Sequence, residues 1–393
     1  MSMAIAIDST AEAPSSASRI TRLRIINNLQ EAEPIWRDLE ARSAAFTPYQ
    51  RFDFLAAWQR NVGAQQILHP CIIVAYDAER RPLLLLPLAI EQGNVVRIAS
   101  FMGGRHATFN MALWDKGFLR EAGATDLEAL LRRIRDCAIA DVLALTQQPM
   151  RWRNQANPFA LLPHQPSINP CPLLTMEPGA APTALIGSSF RSRLKSKERK
   201  LQALSGYRYR VASGDEEITR LLDWFFRTKP LRMAEQRLPN VFAEPGIEAF
   251  VREACMTEIA GGGRAIDLHI LECDDEIIAM FAGVDDCDRL SMMFNTYTVS
   301  SNSRYSPGLI LIRNVVDHYA GRGYRAIDLG IGSDEYKRLF CKNDEPTFDC
   351  FVPLSGRGRL VATVLASIYR GKHLVKQSPR LSRLAQRMRG FVH

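Results

Sequence analysis

The sequence has no apolar run long enough to cross a membrane and no pattern typical of a metal site. A spanning helix needs roughly 18 apolar residues, whereas the longest apolar run, Leu83 to Ile90, is interrupted by Pro87. The seven histidines show no H-E-x-x-H spacing, and the eight cysteines contain no C-x-x-C pair. These absences predict a chain without a disulfide framework, a zinc site or another resident metal.

Acidic residues are missing from the last part of the chain. The composition, 47% hydrophobic and 23% charged over 393 residues, is typical of soluble globular proteins with two or three domains. Nine Lys and Arg residues lie from Arg357 onward, so that removing them from the net charge of +8 leaves the rest at −1. Because Met1 to Ser18 lacks a basic segment before an apolar stretch, we expect a frayed tail rather than a secretory signal.

Two segments of the second half are the most informative. The first, Arg304 to Ile312, reads as a loop that turns into a helix, and the second, Asp328 to Lys337, reads as a strand that opens into a Gly-rich turn. Ser306 is a suitable N-cap residue, and Gly308 has no side chain that would block a ligand. Backbone N–H groups at a helix start favour a phosphate or another anion.

Both halves of the chain show the same order of patterns. Antiparallel strands, over 71–114 and again over 266–297, are followed by a helix and one more strand. This order predicts an α/β fold of the α+β type, with helices on the faces of mixed sheets. We expect an N-terminal tail over 1–19, domains over 20–177 and 183–355, and a basic helical tail over 356–393.

Several motifs occur together in this chain. The blocks Arg304 to Gly308 and Gly323 to Phe340 are accompanied upstream by segments at 190–201, 242–245, 277–281, 47–58 and 83–88. In combination they resemble the CelD/BcsL-type proteins, a branch of the GNAT acyltransferase superfamily that is related to the FemAB aminoacyl transferases. The resemblance implies two tandem GNAT-like domains and a link to cellulose or other envelope polysaccharide production.

The resemblance also implies a donor site. In GNAT enzymes the loop before the corresponding helix binds the pyrophosphate of acyl-CoA, and FemAB relatives use aminoacyl-tRNA instead. This chain departs from the usual glycine pattern, because only Gly308 follows Arg304 and Pro307 lacks an N–H donor. We expect acyl-CoA, such as acetyl-CoA, as co-substrate at Arg304, Tyr305, Ser306, Gly308 and Leu309.

Four residues are candidates for catalysis. Asp328, at a strand end, is suited to orient or deprotonate an amine. Tyr336 is suited to donate a proton to the leaving thiolate, and Lys337 to bind a phosphate or carboxylate. Asn295 is suited to hold the thioester or acceptor carbonyl. Each candidate also has a structural alternative. Asp328 could cap the Gly-rich turn, Lys337 and its neighbour Tyr336 could be solvated, and Asn295 could form a turn.

Cationic side chains form two further candidate sites for an anionic substrate. Six cations lie within residues 191–200, among them Arg191, Arg193 and Arg199. Such a run binds polyanions in some proteins and is a solvated helix face in others. Arg105 and His106 follow a Gly turn, and we expect them to line the cleft between the domains. The alternative for this pair is a plain bend between strands.

The C-terminal tail combines an apolar and a basic stripe at helical spacing. Leu381, Leu384, Met388 and Phe391 form the apolar stripe, and arginines lie one residue before three of them. A basic amphipathic helix of this kind binds an anionic membrane or RNA, or it packs its apolar side on the body. We expect residues 357–393 to be unnecessary for folding of the two domains.

These observations favour a cytoplasmic acyltransferase, at most peripheral to the inner membrane. It would transfer an acyl group directly to an amine or hydroxyl of a small-molecule or saccharide-linked acceptor, without binding DNA. One alternative is a FemAB-like enzyme that uses aminoacyl-tRNA as its donor. We expect tRNA as a partner only under this alternative. Another is a non-catalytic accessory protein that docks on a polysaccharide synthase through its basic tail.

Overall fold

The structure, a computed structural model, describes residues 18–91, 96–177, 179 and 181–377, without the side chains of 43 and 44. Most of the expected N-terminal tail and the amphipathic pattern after 377 lie outside the described residues. The strands are β1 (Arg22–Ile26), β2 (Ser43–Ala45), β3 (Leu68–Tyr76), β4 (Pro82–Glu91), β5 (Ile98–Phe101), β6 (Leu113–Asp115), β7 (Val142–Pro149), β8 (Arg151–Trp152), β9 (Gln155–Ala156), β10 (Gln165–Pro166), β11 (Pro172–Thr175), β12 (Arg208–Val211), β13 (Asp267–Cys273), β14 (Glu276–Asp285), β15 (Arg289–Tyr297), β16 (Ala326–Asp328), β17 (Asn343–Asp344) and β18 (Thr347–Pro353). The helices are α1 (Leu29–Arg42), α2 (Phe52–Trp58), α3 (Lys116–Glu121), α4 (Ala124–Asp136), α5 (Pro182–Leu185), α6 (Ser188–Leu201), α7 (Asp215–Glu235), α8 (Ile247–Met256), α9 (Pro307–Gly321) and α10 (Gly356–Gln377).

These strands form two large mixed sheets with the same internal order. The first sheet runs β1-β3-β4-β5-β7-β18-β10, and the second runs β12-β13-β14-β15-β16-β11-β17. Each contains a β-meander whose last strand pairs in parallel with a strand that follows a helical crossover, β5 with β7 and β15 with β16. The predicted fold class, an α+β architecture with a repeated mixed sheet, is therefore confirmed.

The apolar patterns of the sequence explain the centre of each sheet. β4 and β14 are buried over nearly their whole length, as expected for strands covered by helices on both faces. α9 packs between the second sheet and α6, and most of its apolar side chains are buried there. On the other face of the second sheet, α7 and α8 continue into the core of the first half, where Phe54 and Phe250 meet edge to face with ring centroids 5.2 Å apart.

The two sheets exchange strands across the expected domain limits. β11, in the segment expected to end the first domain at 177, pairs with β16 and β17 of the second sheet. β18, which lies within the expected second domain, pairs with β7 and β10 of the first sheet. A strand's apolar pattern shows that it is buried but not which edge it joins, so the sequence alone did not reveal the exchange.

The described part of the basic tail packs on the first sheet. α10 lies against β18 and β7, and the Arg357 guanidinium bonds the buried carboxylate of Asp141 at 2.8 Å. Further along, Tyr369 contacts Phe351 and Arg370 donates to Gln165. These contacts favour the alternative in which the tail packs on the body, because removal of α10 would uncover the sheet and leave Asp141 without its cation.

Arg289 joins the two halves at the start of β15. Its buried guanidinium pairs with Asp328 at 2.9 Å and with Glu345. The same group is stacked between the rings of Phe109 and Trp152, at 4.5 and 4.6 Å from their centroids. One side chain thus connects β15 and β16 of the second sheet to the core of the first half.

Two searches of the described residues gave negative results. None of the helices in this part is both long enough and apolar enough to cross a membrane. No group of three or more His, Cys, Asp or Glu side chains in the same part is arranged to hold a metal ion.

Replacing Arg289 by methionine should strongly destabilise the protein. The variant leaves the Asp328 carboxylate buried without its cation, and breaking a buried pair in this way costs about 3–5 kcal/mol. The matched control is Arg325→Met, since Arg325 is 59% exposed and its pair with Asp288 should contribute less than about 1 kcal/mol. Urea denaturation gives both free energies of unfolding, and equal losses for the two variants would contradict the connecting role of Arg289.

Candidate functional site

The second sheet has an open strand edge. β15 pairs with β16 only from Arg289 to Ser291, because β16 ends at Asp328 while β15 continues to Tyr297. On the side that β16 leaves, the backbone from Met292 onward has no strand beside it among the described residues. An open edge of this kind exposes N–H and C=O groups that can pair with an extended ligand.

A β-bulge divides this open edge into two parts. Ala282 faces Phe294 across the β14–β15 ladder while Gly283 faces Met292, so Met293 is an extra residue on β15. Residues 292–294 line one cleft and residues 295–297 line another. The two clefts are therefore lined by successive segments of a single strand.

The larger of the two, which we name the α9 cleft, has a volume of about 430 Å³ and lies between α7, β15 and the start of α9. Its charged residues are Lys229, Arg232 and Asp334. The smaller one, which we name the inter-sheet cleft, has a volume of about 240 Å³ and lies between residues 105–108 of the first half and the bulge of β15.

The start of α9 opens on the α9 cleft, but Ser306 does not cap it as expected. Its backbone is left-handed (φ 58°, ψ 50°), its carbonyl accepts the N–H groups of Leu309 and Ile310, and its side chain makes no capping bond. Its hydroxyl instead accepts a hydrogen bond from Lys197 Nζ at 2.7 Å. Because Pro307 has no N–H, the free donor of this turn within the described residues is the N–H of Gly308.

The structure places three of the five expected donor residues in the α9 cleft. Ser306, Gly308 and Leu309 line it, and a Cβ on Gly308 would lie 3.2 Å from Tyr297 Cδ1 on the opposite wall. Arg304 and Tyr305 do not line it, since the exposed Arg304 guanidinium lies over the Tyr305 ring, 4.9 Å from its centroid. The close approach of Tyr297 explains the need for glycine at 308.

Asn295, Tyr336 and Lys229 meet at the inner end of the α9 cleft. The Tyr336 hydroxyl bonds the Asn295 side chain, and Lys229 Nζ donates to the Asn295 carbonyl at 2.8 Å. Burial raises the pKa of Tyr336 and Asp334 adds to this effect, so the phenol keeps its proton at neutral pH. Burial lowers the pKa of Lys229. The group therefore places a proton donor, the Tyr336 phenol, beside a lysine side chain.

Asp328 and Lys337, two of the expected catalytic residues, are buried and bonded within the protein. Asp328 is fully buried, and its carboxylate accepts from Arg289, from Ser291 Oγ at 2.6 Å and from the Gly330 N–H at 3.1 Å. It lines neither cleft and holds the Gly-rich turn, which is the structural alternative. Lys337 is equally buried, and its ammonium bonds the Gly330 and Ile331 carbonyls and Asp334. Its charge is thus used by the turn, although the residue also belongs to the lining of the inter-sheet cleft.

The basic helix α6 is partly structural and partly exposed. Arg191 is buried and makes two hydrogen bonds to Asp317, at 2.7 and 2.8 Å, so it is not available to an external anion. Arg193 and Arg199 are exposed but face different directions. Arg193 shares its face with Lys197, which reaches Ser306 at the α9 cleft.

Arg105 and His106 line the inter-sheet cleft, where the sequence predicted them. Arg105 pairs with Glu244 of the second half. His106 Nδ1 accepts from Trp58 Nε1 at 3.1 Å, so the ring proton is on Nε2. Burial, with a contribution from Arg105, lowers the pKa of His106 to about 4, and the ring is therefore neutral at pH 7.

Sequence reasoning missed Lys229 and Arg232. Both lie on α7, three residues apart on one face, and the Arg232 guanidinium stacks on Tyr297 at 3.8 Å from its ring centroid. The available signal was Pro230, which is unusual inside a helix and directly follows Lys229. Nothing in the local sequence indicates that this turn of α7 faces β15.

Comparisons with known proteins give one family match and several similar folds. Residues 188–338, from α6 to the turn that carries Tyr336, match the family model of the acetyltransferase (GNAT) domain. Among solved structures, FemX shares 8% identity, with 84% of this chain and 97% of FemX covered and a TM-score of 0.53. A conserved protein of unknown function from Bacteroides thetaiotaomicron shares 12% identity, with 84% and 99% covered and a TM-score of 0.52.

At these identities the two structures show a common fold and nothing about the reaction. No curated protein matches the sequence. The narrower resemblance to CelD/BcsL-type proteins has no counterpart among these matches and stays a prediction.

The variants Lys337→Met and Tyr336→Phe should separate structure from function at this turn. Lys337→Met removes the ammonium that donates hydrogen bonds to the Gly330 and Ile331 carbonyls. A buried polar group left without a partner costs about 1–3 kcal/mol. Tyr336→Phe removes one hydroxyl at a partly buried position that faces a cleft and should cost less than about 1 kcal/mol. Thermal unfolding of both proteins checks this order, and a Lys337→Met variant as stable as the parent protein would return Lys337 to the list of ligand-binding residues.

Proposed function

We propose that the protein transfers an acyl group from an acyl-CoA thioester to an amine or hydroxyl acceptor, with the donor in the α9 cleft. The observation that carries the proposal is the open edge of β15 beside the start of α9, inside the GNAT-type domain. An extended donor arm can pair with this edge while its phosphates meet the Gly308 N–H and the positive end of the helix.

The charges of the α9 cleft support a polyanionic donor. Lys229 and Arg232 line the cleft itself, and Lys197 stands at its mouth through its bond to Ser306. Asp334 is the carboxylate of the lining, and it is already paired with Lys337 at 3.1 Å. A ligand with several phosphates is therefore attracted, and the remaining apolar wall accommodates the uncharged arm.

The reaction needs no covalent enzyme intermediate. The acceptor lone pair forms the new bond to the thioester carbonyl carbon, and the C–S bond breaks with its electron pair on sulfur. Tyr336 gives its proton to the leaving thiolate, and the proton that the acceptor loses returns to the Tyr336 oxygen, which restores the starting state.

A second candidate donor is aminoacyl-tRNA, as in the FemAB relatives that the sequence resembles. What supports it is the exposed cationic face of α6, where Arg193, Lys197 and Lys200 lie one helical turn apart beside the α9 cleft. In either case the acceptor would be a small-molecule or saccharide-linked amine or hydroxyl. We take the acyl-CoA donor first because the lined cleft suits a small molecule.

Calorimetric titration of coenzyme A should show one site per chain. Gly308→Val should weaken binding at least tenfold, a loss of about 1.4 kcal/mol, because its side chain would fill the gap to Tyr297. The matched control is Gly321→Val at the other end of α9, where an added Cβ meets open space. Binding of tRNA without binding of coenzyme A would favour the second donor, and binding of neither would favour the non-catalytic accessory protein.

We also propose that the protein attaches to an anionic membrane surface through α10. The side of α10 opposite the sheet exposes Leu360, Val364, Ile368 and Leu374, which recur at helical spacing and lie within one face. From Arg357 to the end of the chain the sequence contains no carboxylate side chain. An apolar stripe with cationic flanks and no acidic residue is typical of helices that lie in a lipid interface.

The chain should co-sediment with anionic vesicles of phosphatidylglycerol and should not co-sediment with phosphatidylcholine vesicles. The double variant Leu360→Glu/Ile368→Glu should lose most of this binding, whereas Ile67→Glu/Leu161→Glu, at 63% and 59% exposed positions elsewhere, should keep it. Because near-surface cations contribute about 1 kcal/mol each, binding should weaken as salt rises. Equal binding by both double variants would exclude α10 as the contact.

A further inference from the structure

The inter-sheet cleft has a predominantly apolar wall that the reaction described above does not use. Its residues come from the turn that begins at Val241, from α8, from the bulge of β15 and from the loop after β16. The apolar contributors are mainly Phe242, Phe250, Met293, Phe294 and Ile331. Methionine and aromatic side chains of this kind adapt to flexible hydrocarbon groups.

The charges around this cleft do not suit an ammonium group. No carboxylate lines it, and Glu244, which stands beside it, is paired with Arg105. The Lys337 ammonium is turned toward backbone carbonyls, and His106 is neutral and carries its ring proton on Nε2. A protonated amine acceptor would therefore find cations and apolar groups but no counter-ion.

The inter-sheet cleft follows the proposed donor site along β15. Met292 to Phe294 line the inter-sheet cleft and Asn295 to Tyr297 line the α9 cleft, directly one after the other on β15. A thioester whose sulfur side lies along 295–297 has its carbonyl near Asn295 and Tyr336. The substituent on that carbonyl then extends toward the bulge and the apolar wall.

We propose that the inter-sheet cleft holds the hydrocarbon chain of the acyl donor, so that the enzyme prefers acyl-CoA thioesters with chains longer than acetyl. This inference rests on the proposed function and adds the class of acyl group to it. Both halves of the molecule take part, because Arg105, His106 and Thr108 of the first half close the cleft over the second.

Calorimetric titration of the full chain with coenzyme A, acetyl-CoA, butyryl-CoA and hexanoyl-CoA tests the proposal. Each methylene that enters the cleft removes apolar surface from water and should tighten binding by roughly fourfold, so butyryl-CoA should bind on the order of tenfold more tightly than acetyl-CoA. Equal affinities for acetyl-CoA and hexanoyl-CoA would overturn the inference and leave the donor site in place. Absence of binding by every thioester would overturn the proposed function itself.

A variant with a larger side chain in the inter-sheet cleft tests whether the acyl chain binds there. Val241 lines the cleft but is 38% exposed on a short turn, so Val241→Trp should fold. It should bind acetyl-CoA as the parent protein does and should lose the gain from butyryl and hexanoyl chains. Leu161→Trp, at a 59% exposed position outside both clefts, is the matched control and should keep that gain. A Val241→Trp variant that keeps the full gain would place the chain elsewhere and overturn the proposal.

Discussion

The buried guanidinium of Arg289 is the contact on which the site depends. It holds Asp328 at the last paired position of β16, and Asp328 in turn holds the Gly330 turn and Ser291 of β15. The two strands therefore stay paired for three residues and separate directly afterwards. Because the same guanidinium is stacked between Phe109 and Trp152, the opening is also fixed relative to the first half. The open edge of β15 and both clefts follow from this arrangement.

Strand exchange makes the two repeated units one structure. β11, from the first half, lies between β16 and β17 of the second sheet, and β18 returns to the first sheet before α10 covers it. Each sheet thus contains a strand from the other half of the chain. The inter-sheet cleft lies between two sheets that β11 and β18 connect. A rigid frame of this kind suits a site that must hold two substrates in register.

Much of the fold was predictable because apolar runs and turn residues are local signals. The strand Pro82–Glu91 and the meander from 267 to 297 appear where the sequence places them. Partner choice was not predictable, since the short strands β11 and β18 carry no mark of the sheet they join. The same limit applies to the site. Tyr336 was selected from the motif and Asn295 from its place at a strand end, and both line the α9 cleft. Asp328 and Lys337 are buried, and Lys229 reaches Asn295 from a helix 66 residues away in sequence. Local patterns identify conspicuous residues, whereas burial and long-range contacts decide which of them meet a ligand.

A crystal structure of the protein with desulfo-coenzyme A, which lacks the reactive sulfur, tests the central claim most directly. The account predicts density for the phosphates at the Gly308 N–H and for the extended arm along Asn295 to Tyr297, with its end near Tyr336. Ordered ligand density beside the β5–β7 pair of the first sheet, or on the exposed face of α6 with the α9 cleft empty, would contradict it.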